Sequence, residues 1–342
     1  MSKQNLNKVQ KLAVEAFGKP VLIFAGAGSG KTRVLTHKIA YLIKKKLVSA
    51  EHILAVTFTN KAAQEMKGRV NKLVPGKESV LNIGTFHSIC ARILRNEIHH
   101  LGYTADFSIF DVQDQKSLVK VVIESMDIPK NYVTPQEVRH KISYFKNKLI
   151  TPGEAKKKAH LVLEKTYADI YKKYQKELIK NNAVDFDDLL ILPLTLFEKH
   201  PKILDKYREK WQYILVDEYQ DTNKPQFMFV KYLAEGHHQI CVVGDDDQSI
   251  YGWRGADIRN ILDFEKNFGN CHVFKLEKNY RSTAHILEAA SSVVKNNKNR
   301  APKELIPHNG AGEKLSLIET NDEMEEADER IATGAAAITY LP

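Results

Sequence analysis

Val21-Leu22-Ile23-Phe24 runs straight into Ala25-Gly26-Ala27-Gly28-Ser29-Gly30-Lys31-Thr32. Four apolar residues bounded by turn formers read as a buried strand. The glycines that follow let backbone N–H groups turn inward around phosphates, Lys31 would reach the β and γ phosphates, and the Thr32 hydroxyl would ligate Mg2+. Ala25 stands where the strict pattern has glycine, a mild departure. The strand before the loop and the helical pattern after it favour a phosphate loop over an ordinary glycine turn.

Outward from this unit, His52–Phe58, Val80–Ile83, Tyr213–Val216, Gln239–Val243 and His272–Leu276 also read as buried strands. Behind the second, Thr59 and Asn60 suit a helix cap, and Ala63, Met66 and Val70 then share one face. Strands alternating with helices predict a parallel sheet covered on both sides. From about Ala91 to Asn182 strand signals nearly vanish, and Lys-rich amphipathic stretches such as Arg139–Lys148 and Lys156–Lys180 take over. The expected organisation is an α/β domain over 1–90 and 183–276, a helical insertion over 91–182, and a further unit over 277–342 with one candidate strand, Leu315–Ile318.

The chain has 342 residues, 43% hydrophobic and 27% charged, an ordinary globular composition. Fifty-one basic against 42 acidic residues give a formal net charge of +9, which favours polyanionic partners. Cys90, Cys241 and Cys271 lack metal-ligand spacing and fit a reducing compartment. No apolar run approaches a membrane span and no signal-like segment opens the chain, so a cytoplasmic protein without a membrane partner is expected.

Asp217 and Glu218 end an apolar strand, where carboxylates project towards a phosphate site. Asp217 is the natural Mg2+ partner and Glu218 the natural base or orienter for an attacking water. Gln10 precedes the first strand, and its amide can read an adenine edge. The run Gly244-Asp245-Asp246-Asp247-Gln248-Ser249-Ile250-Tyr251-Gly252-Trp253-Arg254-Gly255-Ala256 passes from a polar cluster to aromatics and an arginine. Flat rings stack on bases irrespective of sequence, at roughly 1–3 kcal/mol per base, and Arg254 can pair with phosphate or lie on a base face. Trp211 and Phe86, beside or within apolar runs, suit the core better. Asp185, Asp187 and Asp188 are dense enough to bind metal or to cap a helix, capping being the favoured reading, and most insertion lysines read as solvated helix faces.

Taken together, these segments resemble the superfamily-one DNA helicases of the UvrD, Rep and PcrA type. The resemblance is carried by Gln10, AGAGSGKTR at Ala25–Arg33, AVTFTNKAAQEM at Ala55–Met66, GTFHS at Gly84–Ser88 and DFDDLL at Asp185–Leu190. It continues through VDEYQDTN at Val216–Asn223, VVGDDDQSIYGWRGA at Val242–Ala256 and LEKNYRS at Leu276–Ser282. It implies a RecA-like P-loop NTPase sheet with a helical insertion and an incomplete second RecA-like domain, ATP and Mg2+ in the cleft, and single-stranded DNA or single-strand/duplex junctions across the top.

By the same resemblance Gln10 would read adenine, Lys31 and Thr32 would hold phosphate and Mg2+, and Arg33 would lie beside the nucleotide. Asp217 and Glu218 would do the hydrolytic chemistry, and Gln248 would sense the γ-phosphate. Tyr280 would stack on the base, and Arg281 would approach the γ-phosphate from the second domain. Phe58, Asn60, His87, Tyr251, Trp253 and Arg254 would meet DNA. Nothing after Leu315 resembles the later motifs of that family, so the reading expects a truncated N-terminal portion of an ATP-dependent 3′-5′ DNA helicase. The alternative is a non-motor module that binds ATP and single-stranded DNA. A small P-loop kinase or transferase is opposed by the Trp253–Arg254 run, which a small-molecule enzyme would not need.

Overall fold

The computed structural model describes residues 6–77, 80–129, 131–298, 300–316, 322, 324 and 325. Six strands form its main sheet: β1 (Val21–Ala25), β2 (Ile53–Thr57), β3 (Asn82–Thr85), β6 (Tyr213–Val216), β7 (Ile240–Gly244) and β8 (His272–Leu276). Their spatial order is β3-β2-β6-β7-β1-β8, and every pairing is parallel. Two short parallel pairs lie outside it, β4 (Ser108–Phe110) with β5 (Ala183–Asp185), and β9 (Lys278–Asn279) with β10 (Ile306–Pro307).

Period-two alternation sorts the strand side chains onto two faces. Leu22, Phe24, Leu54, Val56, Ile214, Val216 and Val242 enter one apolar cluster, joined by helices α4 (Phe86–Glu97), α9 (Phe186–Lys199), α10 (Pro201–Lys210) and α11 (Lys224–Ala234). Val21, Ile23, Ile53, Ala55, Leu215, Cys241 and Val243 enter the other, beneath α1 (Lys8–Glu15), α2 (Lys31–Lys44) and α3 (Asn60–Leu73). This is the RecA-like P-loop α/β architecture with helical insertions. Burial on both faces explains why β1, β2, β6 and β7 read as unbroken apolar runs.

Helices α5 (Val112–Glu124), α6 (Pro135–Asn147), α7 (Pro152–Lys158) and α8 (Val162–Lys180) close around a third cluster built on Val119, Val138, Ile142, Ala168 and Tyr174. Residue 91 lies inside α4, and Ile93, Leu94 and Ile98 beyond it pack with the sheet. Short helices α12 (Arg259–Leu262) and α13 (Phe264–Phe268) lead to β8, and α14 (Ala284–Val294) follows β9.

Several strand bounds differ from expectation: β1 runs on to Ala25, and β7 spans Ile240–Gly244 rather than Gln239–Val243. His52 closes a 3-10 turn and Phe58 lies past the end of β2. Val80 is an exposed turn residue, and β3 begins at Asn82, where its register with Leu54 starts. Hydrophobicity marks a run, but partner register decides where pairing begins. Leu315 is exposed and Ser316 has no regular structure, while Leu317 and Ile318 lie outside the described residues. Among the described residues no helix is long and apolar enough to cross a membrane. All three cysteines are free thiols, Cys90 and Cys241 being buried.

Candidate nucleotide and nucleic-acid site

The C-terminal ends of β1, β2, β3, β6 and β7 lie along one edge of the sheet, where α/β folds place their ligands. From β1 the chain reaches α2 through 26–30, a reversal that uses left-handed backbone at Gly28 (φ +67°) and Gly30 (φ +91°). Thr32 and Arg33 are half-buried in the first turn of α2. Gln10 is almost fully buried beneath the loop: its Nε2 donates to the Ser29 carbonyl at 2.9 Å, and its Oε1 accepts from the Asn7 amide at 3.0 Å. The residue expected to read adenine thus also braces the loop, as the third residue of a capping box on α1.

At the end of β6, Glu218 has a left-handed backbone (φ +49°), rare for a residue with a side chain. Its Oε2 lies 2.8 Å from Lys31 Nζ. Asp217 is buried, accepts from the Glu218 amide at 3.0 Å and is hydrogen-bonded by the Thr32 side chain. Burial and the neighbouring Glu218 charge, only partly offset by Lys31, push its carboxyl up to about 7. A buried carboxyl beside a hydroxyl is a donor set that Mg2+ fits.

Gln220, which the sequence reading passed over, connects this pair to the next motif. Its Nε2 donates to Glu218 Oε2 at 3.0 Å and to Asp221 Oδ2 at 3.2 Å, while its Oε1 accepts from the Asp245 amide at 3.0 Å. Gln248 Nε2 donates to Asp245 Oδ2 at 2.5 Å. Carboxylate oxygens of Asp245, Asp246 and Asp247 lie within 4.8 Å of one another, an arrangement that could suit a metal. Lys303 Nζ fills it instead, at 3.1, 2.5 and 2.6 Å from the three.

Tyr280 and Arg281 lie over the phosphate loop. The Tyr280 amide donates to the Gly28 carbonyl at 2.9 Å, and its hydroxyl accepts from Asn7 Nδ2 at 2.9 Å. Asn279, also missed, organises this contact: Nδ2 donates to the Ala27 carbonyl at 2.6 Å, and Oδ1 accepts from the amides of Arg281 and Ser282 at 2.8 Å each. A Cβ at Gly28 would lie 2.7 Å from Arg281 Cβ, and one at Gly26 would lie 2.2 Å from Leu305 Cδ2. The loop glycines therefore admit a second segment of the chain as well as a turn.

Five of the six expected DNA residues, Phe58, His87, Tyr251, Trp253 and Arg254, line one groove of about 760 Å³. Asn60 does not line it; it is the exposed first residue of α3, whose cap is Thr59, accepting from the Ala62 amide at 3.1 Å. Trp253 is 76% exposed, and the Arg254 guanidinium lies 4.5 Å from its ring centroid and 5.5 Å from that of Tyr251. Burial holds the His87 imidazole below its ordinary pKa. Trp211 and Phe86 are core residues.

The facing wall comes from α6 and the residue after it: Arg139, His140, Ser143, Tyr144, Asn147 and Lys148. Tyr144 is half-exposed, and Arg139 Nε is buried without a partner. An exposed tyrosine on a Lys-rich helix was the available signal, but only the tertiary fold sets that helix opposite Trp253. Asp185 caps α9 in a capping box with Asp188, as expected. Lys146 departs from the solvated-face reading: it is fully buried, 2.6 Å from Asp185 and 2.7 Å from Asp188.

Comparison with known proteins adds to this geometry. The family model described as UvrD/REP helicase N-terminal domain matches residues 6–269, and that described as UvrD-like helicase C-terminal domain matches 274–337. A Staphylococcus epidermidis protein, ATP-dependent DNA helicase PcrA, is 50% identical over 325 residues, covering 95% of this chain and 45% of the relative. The Staphylococcus aureus protein of the same name is 50% identical over 324 residues, covering 95% and 44%. The chain thus spans less than half the length of these curated relatives.

Proposed function

The chain belongs to the UvrD/Rep helicase family, and from that premise we propose that it is the ATP- and single-strand-binding part of an ATP-dependent 3′-5′ DNA helicase. One observation carries the coupling. Glu218 is joined through Gln220 to Asp245 and Gln248, at the head of the run that ends in Tyr251, Trp253 and Arg254. The far end of that run is tied back to the same β6 loop, by the Asn223–Ala256 bridge and the Asp257 amide donating to the Thr222 carbonyl at 3.0 Å. A shift at Glu218 therefore has a short polar route to the groove.

In this reading Lys31 and Thr32 hold phosphate and Mg2+, with Asp217 as the carboxylate partner of the metal and Arg33 beside the nucleotide. Glu218 holds the attacking water and takes its proton, and Gln248 reports on the γ-phosphate. Tyr280 and Arg281 complete the site from the far side, and Gln10 holds the loop while its amide faces the base. ATP·Mg2+, when bound, supplies the phosphoanhydride whose cleavage drives the cycle. Phe58, His87, Tyr251, Trp253 and Arg254 receive the single strand or a junction end. The domain division at about 90, 182 and 276 belongs to the same proposal, with α4 assigned by its packing to the first unit. A cytoplasmic setting fits the free, largely buried cysteines.

A second reading needs only the nucleotide edge and the Trp253–Arg254 groove, both present among the described residues. In it this chain binds ATP and single-stranded DNA without unwinding. DNA-stimulated hydrolysis and displacement of a duplex with a 3′ tail separate the two. Glu218→Gln should abolish hydrolysis while nucleotide binding stays within about threefold; unchanged hydrolysis would remove Glu218 as the base.

A further inference from the structure

The three aspartates after β7 pose an electrostatic problem, since three carboxylates so close repel one another in a poorly solvated site. Their cation comes from far along the chain. The Lys303 side chain is 3% exposed and touches all three carboxylates. Arg300 forks onto Asp247 at 3.0 and 2.9 Å, and the Ala301 amide donates to Asp246 at 2.7 Å. Two residues beyond Lys303, Leu305 sits on Gly26 of the phosphate loop. Residues 300–305 therefore form a strap that spans the nucleotide site, with a cation on the Gln248 loop and a leucine on the phosphate loop.

We propose that Lys303 is a positioning residue whose docking among Asp245, Asp246 and Asp247 sets the Gln248 loop and so transmits nucleotide occupancy to the DNA groove. The inference rests on the ATP- and DNA-binding reading above. Asp245 is the junction: one carboxylate oxygen meets Lys303, the other accepts from Gln248, and its amide meets Gln220, which holds Glu218 and Asp221. Asp221 itself lines the groove. Moving the strap would leave three carboxylates without their cation, so the loop has its present shape only while the strap is seated. Burial opposes the Lys303 charge, but hydrogen bonds to Asp246 and Asp247 and the charges of Asp245 and Asp246 outweigh it, holding the ammonium above its ordinary pKa. The latch therefore stays charged across the physiological range.

The test is a linkage measurement on this chain. Affinity for a fluorescent oligo-dT is read by anisotropy with and without a non-hydrolysable ATP analogue, and affinity for the analogue is read separately. Coupling between two sites commonly amounts to about 5- to 150-fold, and a ratio in that range is expected for the unmodified chain. In Lys303→Met it should fall to within about twofold of unity, while each separate affinity stays within about threefold. Because that variant leaves buried charge uncompensated, a second one, Lys303→Met with Asp246→Asn and Asp247→Asn, removes the repulsion and should be equally uncoupled. Retained coupling in either variant overturns the proposal, as does joint loss of both separate affinities in the charge-relieved one. Binding of neither ligand by the unmodified chain would refute the underlying reading instead.

Discussion

Removing the indole of Trp253 should weaken single-strand binding by an amount the groove itself sets. The ring is 76% exposed with Arg254 on it at 4.5 Å, so a base can take a free face or displace the guanidinium. A base on a free face contributes about 1–3 kcal/mol. Displacing Arg254 returns about 0.5–1 kcal/mol of exposed cation–π attraction, leaving a net of about 0–2.5 kcal/mol. Because Arg254 is also close to Tyr251 (5.5 Å), it need not give up every aromatic contact, and the upper part of the range applies. Trp253→Ala should therefore raise the Kd for oligo-dT about 5- to 70-fold, whereas Trp253→Phe, which keeps a ring, should recover most of the loss. The chain has two tryptophans, Trp211 buried and Trp253 exposed, so quenching of tryptophan emission by DNA should vanish in either Trp253 variant. Thermal stability should hold, since so little of this ring is buried. Binding within twofold of the unmodified chain, or quenching that survives in Trp253→Ala, would refute the groove assignment.

Two further outcomes follow from the charged groups. Burial and the Glu218 charge push the Asp221 carboxyl in the groove wall up to about 6. Below that pH it is neutral and above it repels phosphate, so oligonucleotide affinity should fall as pH rises from 5.5 to 7, and Asp221→Asn should flatten this part of the profile; an unchanged slope refutes the role. Lys146→Met leaves Asp185 and Asp188 buried without their cation and should cost about 3–5 kcal/mol in urea unfolding; a loss under about 1 kcal/mol would mean the network relaxes or fills with water. The Glu218→Gln and Lys303→Met measurements complete the set, and they are separable, since the first should remove hydrolysis and the second the coupling.

Local pattern alone specifies the sheet and one edge of its site. The inner strands β1, β2, β6 and β7 are buried on both faces, so each leaves an apolar run, and each motif follows its strand directly. Local order was enough to bring Lys31, Asp217, Glu218 and Gln248 to one edge, because parallel strands deliver their C-terminal ends together. It was also enough to send Trp211 and Phe86 inward and leave Trp253 outside.

Tertiary structure alone decided the contacts between segments distant in the chain. Lys146 looked like one more solvated lysine until α9 brought two carboxylates onto it. Tyr144 and Arg139 became a groove wall because α6 packs across from the 251–254 run. Asn279, Leu305 and Lys303 acquired their tasks only when the segments 279–281 and 300–305 folded over the phosphate loop and its neighbour. The physical reason is range: hydrophobic period and turn chemistry act over a few residues, whereas a buried charge finds its partner across 39 residues at Lys146–Asp185 and 57 at Lys303–Asp246. Such pairings depend on where whole elements pack, and no local pattern encodes them.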